Sequence, residues 1–377
     1  MLKLVLGASG SGKTTLLYAR IRARAEAGKR SILLVPEQFT SSTEARIYRE
    51  LGDALSGMVE SYSFTSLAEH ILAVEGGAAV QTLTDAGRAV LVRRALEELQ
   101  DNVHYYYRHR RSAAFCQMAA ETIDELKSAG LSGQQLQELA RDCGTESAKL
   151  GELALIFQGY ESLLAGTGMD PADRLELAAD RLEAALARDE LPDFLREREV
   201  FIDEFDTFNA PKKRLMGAML AALPAVTVAL CEDGAPMQPG DLELFSGAKQ
   251  VAAQLRQLAR KNGAQVAAPE LLRRDLRHKD APGLAALTEL LETGSCTPPE
   301  SAPELRLFAA ASREEEARCA AAAIRRLMRQ GVRCGKIAVV CRDISLYRAA
   351  VRYEFRMAEI PLYCDEPTTP EFSAPAT

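Results

Sequence analysis

Residues 7–14 have the types and the spacing that bind phosphate. Their sequence, GASGSGKT, matches the pattern G-x-x-x-x-G-K-[ST]. An apolar run at residues 1–6 precedes the pattern and a helical pattern follows it, and this strand–loop–helix order is the context that a phosphate loop requires. Glycines let backbone N–H groups turn inward around an anion, and the start of the next helix adds a positive dipole end.

The loop therefore predicts a site for ATP and Mg²⁺. Lys13 would reach the β- and γ-phosphates, and Thr14 would ligate the metal. The predicted nucleotide-binding residues of this loop are Gly7, Ala8, Ser9, Gly10, Ser11, Gly12, Lys13, Thr14 and Thr15. The structural alternative is a Gly/Ser-rich turn between a strand and a helix.

Two carboxylates follow a second apolar segment. Residues 198–204, REVFIDE, are predicted to form a strand that ends in Asp203 and Glu204. An acid at a strand end can hold Mg²⁺, and the next acid can activate the attacking water. We therefore predict that Asp203 joins Thr14 as a metal ligand and that Glu204 is the catalytic base.

Polar residues also follow the apolar segment SILLV at residues 31–35, which is predicted to be a buried strand. The carboxyl ends of strands in an open α/β sheet line the ligand crevice. The residues predicted to lie at this crevice are Glu37, Gln38 and Thr40. Gln38 is therefore predicted to contact the nucleotide. The alternative is that Pro36 merely ends the strand and that Ser42 or Thr43 caps the next helix.

Composition excludes several classes of protein. The chain has 377 residues, a hydrophobic fraction of 47% and a net charge of −7, so it has no overall electrostatic attraction to nucleic acid or to an anionic membrane. Its eight cysteines show no C-x-x-C spacing and no zinc pattern. No apolar run reaches the length of a membrane span. We expect reduced thiols, a cytoplasmic location and no membrane partner.

The pattern of periodicity predicts an α/β fold with an interruption. Residues 65–197 are dominated by helical periodicity and are predicted to form an all-helical insertion. Residues 1–64 and residues 198–293 on either side contain the strand patterns, so together they would form one discontinuous α/β domain. A Pro/Ser-rich linker follows at residues 294–303, and residues 304–377 are predicted to begin a second domain.

The second domain is predicted to be incomplete. Strands are predicted at residues 305–310 and 336–341, and helices at residues 313–330 and 344–357. The Pro/Thr-rich end, residues 365–377, has few apolar residues that could add to a core. Because a sheet of two or three strands rarely makes a complete α/β domain, we expect a truncated part of a longer protein. The alternative is a small accessory domain with a flexible tail.

An aromatic and basic cluster is the first candidate for contact with nucleic acid. Residues 105–111 read YYYRHRR, and tyrosines can stack on bases while arginines hold phosphates. The predicted DNA-binding residues here are Tyr105, Tyr107, Arg108, Arg110 and Arg111. The alternative is a loop whose tyrosines pack and whose arginines are solvated. A second basic run, RRDLRHK at residues 273–279, is predicted to be a solvated face.

Several segments resemble the AddB family of bacterial helicase–nuclease subunits, which belongs to the UvrD/RecB-like superfamily 1 helicases. They are VPEQFTSSTEARI, SFTSLAEHIL and EFDTFN, followed by EEEA, IAVVCRD and EIPLYCDE near the end. The resemblance covers essentially the whole chain, but only the first part of a typical family member. It implies a P-loop (RecA-like) domain with an all-helical insertion, followed by the start of a second RecA-like domain.

The same resemblance implies a function. It implies ATP-dependent processing of double-strand DNA ends for recombinational repair, together with an AddA-like helicase–nuclease partner. It also implies DNA contacts at Phe39, Thr40 and Phe64, on loops after the strands. A nuclease domain with an iron–sulfur cluster is implied only for a C-terminal part that this sequence lacks.

The sequence departs from active superfamily 1 motors at three places. Only six residues precede Gly7, which leaves no room for a glutamine segment that reads adenine. Glu204 is followed by Phe205 instead of the pattern Asp-Glu-x-Gln-Asp, and residues 231–234, CEDG, are not followed by a coupling glutamine. The arginines that clasp the γ-phosphate are expected from the unfinished second domain. These departures favour ATP binding and argue against hydrolysis by this segment alone.

Two further functions remain open from the sequence. One is a stand-alone P-loop NTPase or small-molecule kinase whose helical insertion is a substrate lid. The other is a recognition scaffold with a vestigial loop.

Overall fold

The computed structural model describes residues 1–77, 82–109, 111–235 and 244–364. The chain divides into two compact units, Met1–Pro299 and Glu300–Thr377. The boundary falls within residues 294–303, the segment predicted to be a linker. The finer division into RecA-like domains and an insertion stays a prediction.

A six-stranded sheet forms the centre of the first unit. Its strands are β1 (Leu2–Gly7), β2 (Ser31–Leu34), β3 (Val59–Tyr62), β4 (Glu199–Ile202), β5 (Ala225–Cys231) and β6 (Glu270–Leu272). Their order is β3-β2-β4-β5-β1-β6, and each neighbouring pair is parallel. The predicted α/β class is confirmed, because helices separate the parallel strands along the chain.

Helices surround this sheet and fill most of the remaining described chain. Those of the first unit are α1 (Lys13–Glu26), α2 (Thr40–Leu51), α3 (Asp53–Ser56), α4 (Phe64–Glu75), α5 (Asp85–Glu98), α6 (Ala113–Ser128), α7 (Gly133–Ala140), α8 (Ser147–Leu164), α9 (Pro171–Ala187), α10 (Ala210–Ala222), α11 (Ser246–Lys261) and α12 (Pro282–Thr293). The second unit contains α13 (Arg313–Arg329) and α14 (Ile344–Met357).

Alternation of side chains along the strands divides the core into two layers. Leu4 and Leu6 of β1 pack into one buried cluster with α4, α9 and α10, whereas Val5 packs on the other face with α1. Successive side chains of a strand point to opposite faces, and a parallel sheet needs both faces covered. The apolar runs predicted to be buried strands are therefore covered on both sides.

Between β3 and β4 the described chain consists of α4 to α9 and their connections. Several of these helices begin at a residue whose hydroxyl accepts a hydrogen bond from the third backbone N–H, as the capping rule predicts. Such caps are Ser63 before α4, Thr84 before α5, Ser112 before α6 and Ser132 before α7. Helices α5, α6 and α8 enclose their own apolar core around Phe157 and Tyr160.

Glu199 links three strands and a helix at the amino end of the sheet. Its carboxylate, which is buried at the start of β4, accepts hydrogen bonds from Lys3 Nζ of β1 (2.8 Å) and Thr227 Oγ1 of β5 (2.9 Å). Arg24 of α1 lies 3.3 Å from its second oxygen. A buried carboxylate needs such partners. The cluster therefore fixes the positions of β1, β4 and β5 relative to each other.

Three sequence-based assignments of structure are corrected. Strand β6 was absent from the sequence prediction, because three residues carry too little periodic signal; it is held by pairing of Glu270–Leu272 with β1. The strands predicted at residues 305–310 and 336–341 are not formed in the described part of the second unit. Leu307 and Val340 there are 100% and 90% exposed, so neither segment is packed as a buried strand would be.

The predicted start of α13 is correct. Ser312 Oγ accepts a hydrogen bond from Glu315 N (3.2 Å), and the Glu315 carboxylate accepts one from Ala311 N (2.8 Å). Helices α13 and α14 pack together through a small apolar cluster that includes Ile324 and Phe355. The statement that this unit begins a second RecA-like domain stays a prediction, and residues 365–377 lie outside the described residues.

We predict that Glu199→Ala lowers the free energy of unfolding by about 2–4 kcal/mol, because it leaves Lys3, Arg24 and Thr227 without their shared partner. Urea denaturation followed by circular dichroism measures the change. Glu97→Ala is the matched control, since Glu97 forms an exposed pair with Arg93 and should cost about 0.5 kcal/mol or less. Equal losses in the two variants would contradict a structural role for the Glu199 cluster.

Candidate functional site

The loop between β1 and α1 has a backbone that requires its glycines. Gly10 and Gly12 have φ angles of 82° and 92°, which side-chain-bearing residues rarely adopt. A Cβ atom on Gly10 would lie 2.8 Å from Cβ of Arg277, and one on Gly7 would lie 2.8 Å from the carbonyl oxygen of Leu272. The glycines of the motif therefore serve both the loop conformation and its close packing.

Lys13 spans the loop. Its Nζ donates hydrogen bonds to the carbonyl oxygens of Gly7 (2.7 Å) and Ala8 (2.9 Å). Burial lowers the pKa of the Lys13 amine, while the neighbouring Cys231 and Asp203 act in the opposite direction. The ammonium group is therefore held at the centre of the loop by carbonyl oxygens that a phosphate oxygen could replace.

The loop also offers donors without a protein partner. The Ser11 hydroxyl is buried, and in the described part of the chain it has no hydrogen-bond partner. Helix α1 begins after Gly12 without a side-chain cap and without an acidic residue in its first turn. The first N–H groups of a helix are unsatisfied within the helix itself. An orphaned buried hydroxyl and an uncapped helix start fit a phosphate group.

The two acids follow β4. The N–H of Asp203 donates to the carbonyl oxygen of Leu34 at the end of β2 (3.1 Å), so the pairing of β4 with β2 continues to Asp203. Glu204 has a left-handed backbone, with φ 64°, and its N–H donates to Asp203 Oδ1 (3.0 Å). Desolvation raises the pKa of the Glu204 carboxyl, as does the charge of Asp203, while Arg46 lowers it. Such backbone strain is often found at functional sites.

The loop and the acids share one cavity of about 540 Å³, here called the first cavity. The predicted residues that line it are Ser9, Gly10, Gly12, Lys13, Thr14, Thr15, Asp203 and Glu204. The strand order explains why the loop and the acids lie close together. Only β5 separates β4 from β1, and all three carboxyl ends point the same way. Residues distant in sequence are thereby brought to one site.

The predicted magnesium site has few protein ligands. No group of three or more His, Cys, Asp or Glu side chains that could hold a metal occurs among the residues that the structure describes. Mg²⁺ often binds through only one or two protein groups, with phosphate oxygens and water completing the shell. Thr14 and Asp203 both line the first cavity, so their donors fit a metal that is held jointly with a nucleotide.

A segment after β6 covers the phosphate loop, which the sequence prediction missed. The N–H of Leu276 donates to the carbonyl oxygen of Gly10 (3.0 Å), and the Arg277 guanidinium donates to Ser9 Oγ (3.1 Å). Asp275 accepts hydrogen bonds from the N–H groups of Arg277 (2.9 Å) and His278 (3.1 Å). Arg277 is exposed, as predicted for a solvated face at residues 273–279, and it also lines the first cavity, which the sequence did not predict.

A second arginine of the first cavity was also missed. Arg46 on α2 lies with its guanidinium carbon 4.9 Å from the centre of the Tyr18 ring. Tyr18 lies on α1, is buried, and has its pKa raised to about 12, mainly by that burial. The segment VPEQFTSSTEARI contains Arg46, but only the three-dimensional packing of α2 against α1 directs it to the loop.

Gln38 lies in a neighbouring second cavity of about 440 Å³, together with Glu37 and Lys212. Glu204 lines both cavities, so the two adjoin. Thr40 Oγ1 donates to the carbonyl oxygen of Glu37 (2.6 Å). The nucleotide contact of Gln38 and the DNA contact of Thr40 stay predictions.

The alternative interpretation of the connection between β2 and α2 is wrong about the helix cap. Helix α2 begins after Phe39 without a side-chain cap, so neither Ser42 nor Thr43 caps it. Phe39 is 37% exposed, and its DNA contact stays a prediction.

Phe64 was expected on a loop, and this expectation is wrong. It is the first residue of α4 and is only 2% exposed. Its ring packs edge-on against Phe205 and Phe208, with centroid distances of 5.3 and 6.0 Å. A ring enclosed in this way cannot stack on a nucleic-acid base without opening the core. The apolar alternation of residues 59–64 gave no signal for this early helix start.

The aromatic–basic segment is an anchored loop with an exposed tip. Both carboxylate oxygens of Glu152 accept hydrogen bonds from the backbone N–H groups of His104, Tyr105 and Tyr106 at 2.8–3.1 Å. Tyr105 is 53% exposed, with Lys149 Nζ lying 5.4 Å from its ring centre.

The other side chains of this segment differ in how far they are exposed to solvent. Tyr107 is half-buried, whereas Arg108 and Arg111 are exposed. Arg110 lies outside the described residues. The geometry thus leaves Tyr105, Arg108 and Arg111 accessible, and their DNA contact stays a prediction.

Comparison with known proteins gives the family. The family model described as "ADDB, N-terminal" matches residues 4–288. The chain belongs to this AddB family. Its AddB relatives include an ATP-dependent helicase/deoxyribonuclease subunit of Desulforudis audaxviator, which is 34% identical over 97% of this chain. The proteins of the same name from Moorella thermoacetica and Symbiobacterium thermophilum are 33% and 32% identical over 97% and 98% of the chain.

The AddB chain spans 32% of the length of each of these relatives. Within the described ranges, no helix has both the length and the apolar character needed to cross a membrane.

Proposed function

We propose that this chain is the ATP-binding, helicase-like part of an AddB subunit, and that the subunit acts in a helicase–nuclease complex. The complex would process double-strand DNA ends for recombinational repair. The single observation that carries the nucleotide-binding proposal is the shared first cavity, where a glycine loop and Lys13 face Asp203 and Glu204. The relatives are named as subunits of an ATP-dependent helicase/deoxyribonuclease, which supports the same conclusion.

Different residues of the first cavity would bind different parts of the nucleotide and its metal. The N–H groups of the loop and of the start of α1 would hold the inner phosphates, and Lys13 would exchange its carbonyl partners for phosphate oxygens. Thr14 and Asp203 would hold Mg²⁺, which neutralises phosphate charge when it is bound. In this proposal the sheet with its phosphate loop is a RecA-like P-loop domain.

Hydrolysis would depend on Glu204 as the base. Desolvation and the charge of Asp203 raise the pKa of its carboxyl, which suits a general base, so the weak point is the residue that should orient the attacking water. The following residue is Phe205, whose ring is buried against Phe64 and cannot orient a water molecule. We infer that ATP binding is the principal property of this segment and that its own turnover is slow.

The proposal also includes binding of DNA and of a partner subunit. Tyr105, Arg108 and Arg111 are the proposed DNA contacts, because an exposed aromatic ring beside cationic side chains suits a single strand. An AddA-like helicase–nuclease subunit is the proposed partner. An iron–sulfur cluster and a nuclease site are proposed only for the part of an AddB protein that lies beyond this sequence. The cytoplasmic location stays a prediction.

The alternative of a small-molecule kinase with a helical lid has less support. A lid would have to line the cavity that holds the nucleotide. The described residues that line the first cavity come from the strand ends, α1, α2 and the segment after β6. Helices α6 and α9 contribute instead to the second cavity, through Asp124 and Leu175.

We predict that Lys13→Ala weakens ATP binding by about 100-fold, because it removes the ammonium group that the phosphates require. Isothermal titration of the chain with Mg·ATP measures the affinity. Lys29→Ala, an exposed lysine just beyond α1, is the control and should bind as the wild type does.

Two results would contradict this account. Wild-type affinity in Lys13→Ala would show that the loop is not the nucleotide site. Rapid phosphorylation of a small acceptor, unaffected by single-stranded DNA, would favour the kinase alternative over an AddB function.

We also predict that Tyr105→Ala weakens binding of a single-stranded oligonucleotide about tenfold, since loss of one stacking platform removes roughly 1–3 kcal/mol. Fluorescence anisotropy at fixed salt concentration measures the affinity. Tyr48→Ala is the control, because Tyr48 is similarly exposed (57%) but lies on α2. If both variants bind alike, the aromatic–basic loop is not the DNA contact.

A further inference from the structure

Arg46 faces the first cavity with its hydrogen-bonding groups uncommitted. It lies on α2 and lines the cavity together with Lys13, Asp203 and Glu204. In the part of the chain that the structure describes, its side-chain contact is the stack on Tyr18. The half-buried guanidinium lowers the pKa of the Glu204 carboxyl through its charge, yet among the described residues it forms no hydrogen bond or ion pair with that carboxylate. Its donors therefore remain available to a ligand of the cavity.

Tyr18 explains how Arg46 is held without using those donors. A guanidinium stacked on an aromatic face is attracted by the ring and keeps its N–H fork at the rim of the stack. Tyr18 is itself fixed, because it is buried in α1, the helix that begins at the phosphate loop. The arginine is thus oriented by the same helix that would receive the phosphates.

The other two cations of the first cavity have hydrogen-bond partners within the phosphate loop. Lys13 donates to two loop carbonyl oxygens, and Arg277 donates to Ser9 Oγ. Arg277 and its neighbours contact the loop at Ser9 and Gly10, where the inner phosphates would lie. Arg46 shares the cavity with the acids after β4, where the terminal phosphate and the attacking water would lie.

We propose that Arg46 binds the terminal phosphate of a nucleoside triphosphate and makes this site prefer triphosphate to diphosphate. The inference rests on the proposed nucleotide site. A guanidinium forms two parallel hydrogen bonds to a phosphate group, so it recognises the terminal phosphate by geometry as well as by charge. The first unit would then sense the triphosphate with an arginine of its own, independently of any arginine from the second domain.

Paired titrations with a non-hydrolysable ATP analogue and with ADP test this proposal. Arg46→Ala should weaken binding of the analogue about 10- to 100-fold, the equivalent of one charge-assisted contact of about 1.5–3 kcal/mol. ADP affinity should change less than about threefold. Arg46→Lys should give an intermediate loss for the analogue, because an ammonium group keeps the charge but cannot form the fork.

Controls separate the possible outcomes. Retained ADP binding shows that a variant is folded, and Arg49→Ala, an exposed arginine on the same helix, should bind both nucleotides as the wild type does. Unchanged affinity of Arg46→Ala for the analogue, or an equal loss for analogue and ADP, overturns the role of Arg46 alone. Absence of binding of either nucleotide to the wild-type chain overturns the nucleotide site itself, and this inference with it.

Discussion

The parallel alignment of β4, β5 and β1 is the constraint on which the rest of this structure depends. It places the end of β1, where the glycine loop begins, one strand away from the end of β4, where Asp203 follows. At the opposite end of the same strands, the buried carboxylate of Glu199 holds Lys3 and Thr227. The contacts at the amino end of the sheet therefore fix the alignment of these strands. At the carboxyl end, the same alignment brings the residues of the first cavity together.

Within that cavity, the geometry favours binding more clearly than turnover. The loop has an orphaned buried hydroxyl at Ser11 and an ammonium group that rests on exchangeable carbonyl partners. The base candidate, Glu204, is followed by a buried phenylalanine instead of a polar side chain that could orient water. A site of this kind suits the proposal that bound nucleotide organises the domain.

Local patterns in the sequence predicted the parts of the fold whose causes are local. The glycine loop, β2, β4 and the helical character of residues 65–197 follow from motif, hydrophobicity and periodicity over short windows. Strand β6 and the role of Arg277 could not be predicted in this way, since they arise from pairing with β1 and packing on Gly10. The burial of Phe64 likewise depends on Phe205, a residue far away in the sequence. Arg46 lies at the site because α2 packs on α1, and no sequence motif predicts this packing.

The most direct test of the nucleotide site is a crystal structure of this chain with Mg²⁺ and a non-hydrolysable ATP analogue. We predict that the phosphates lie in the loop of Gly10 to Lys13, with the metal between Thr14 and Asp203. The Lys13 amine should have moved from the carbonyl oxygens of Gly7 and Ala8 to the phosphates. A nucleotide bound elsewhere, or a loop that remains closed around Lys13 at saturating nucleotide, would contradict the central claim.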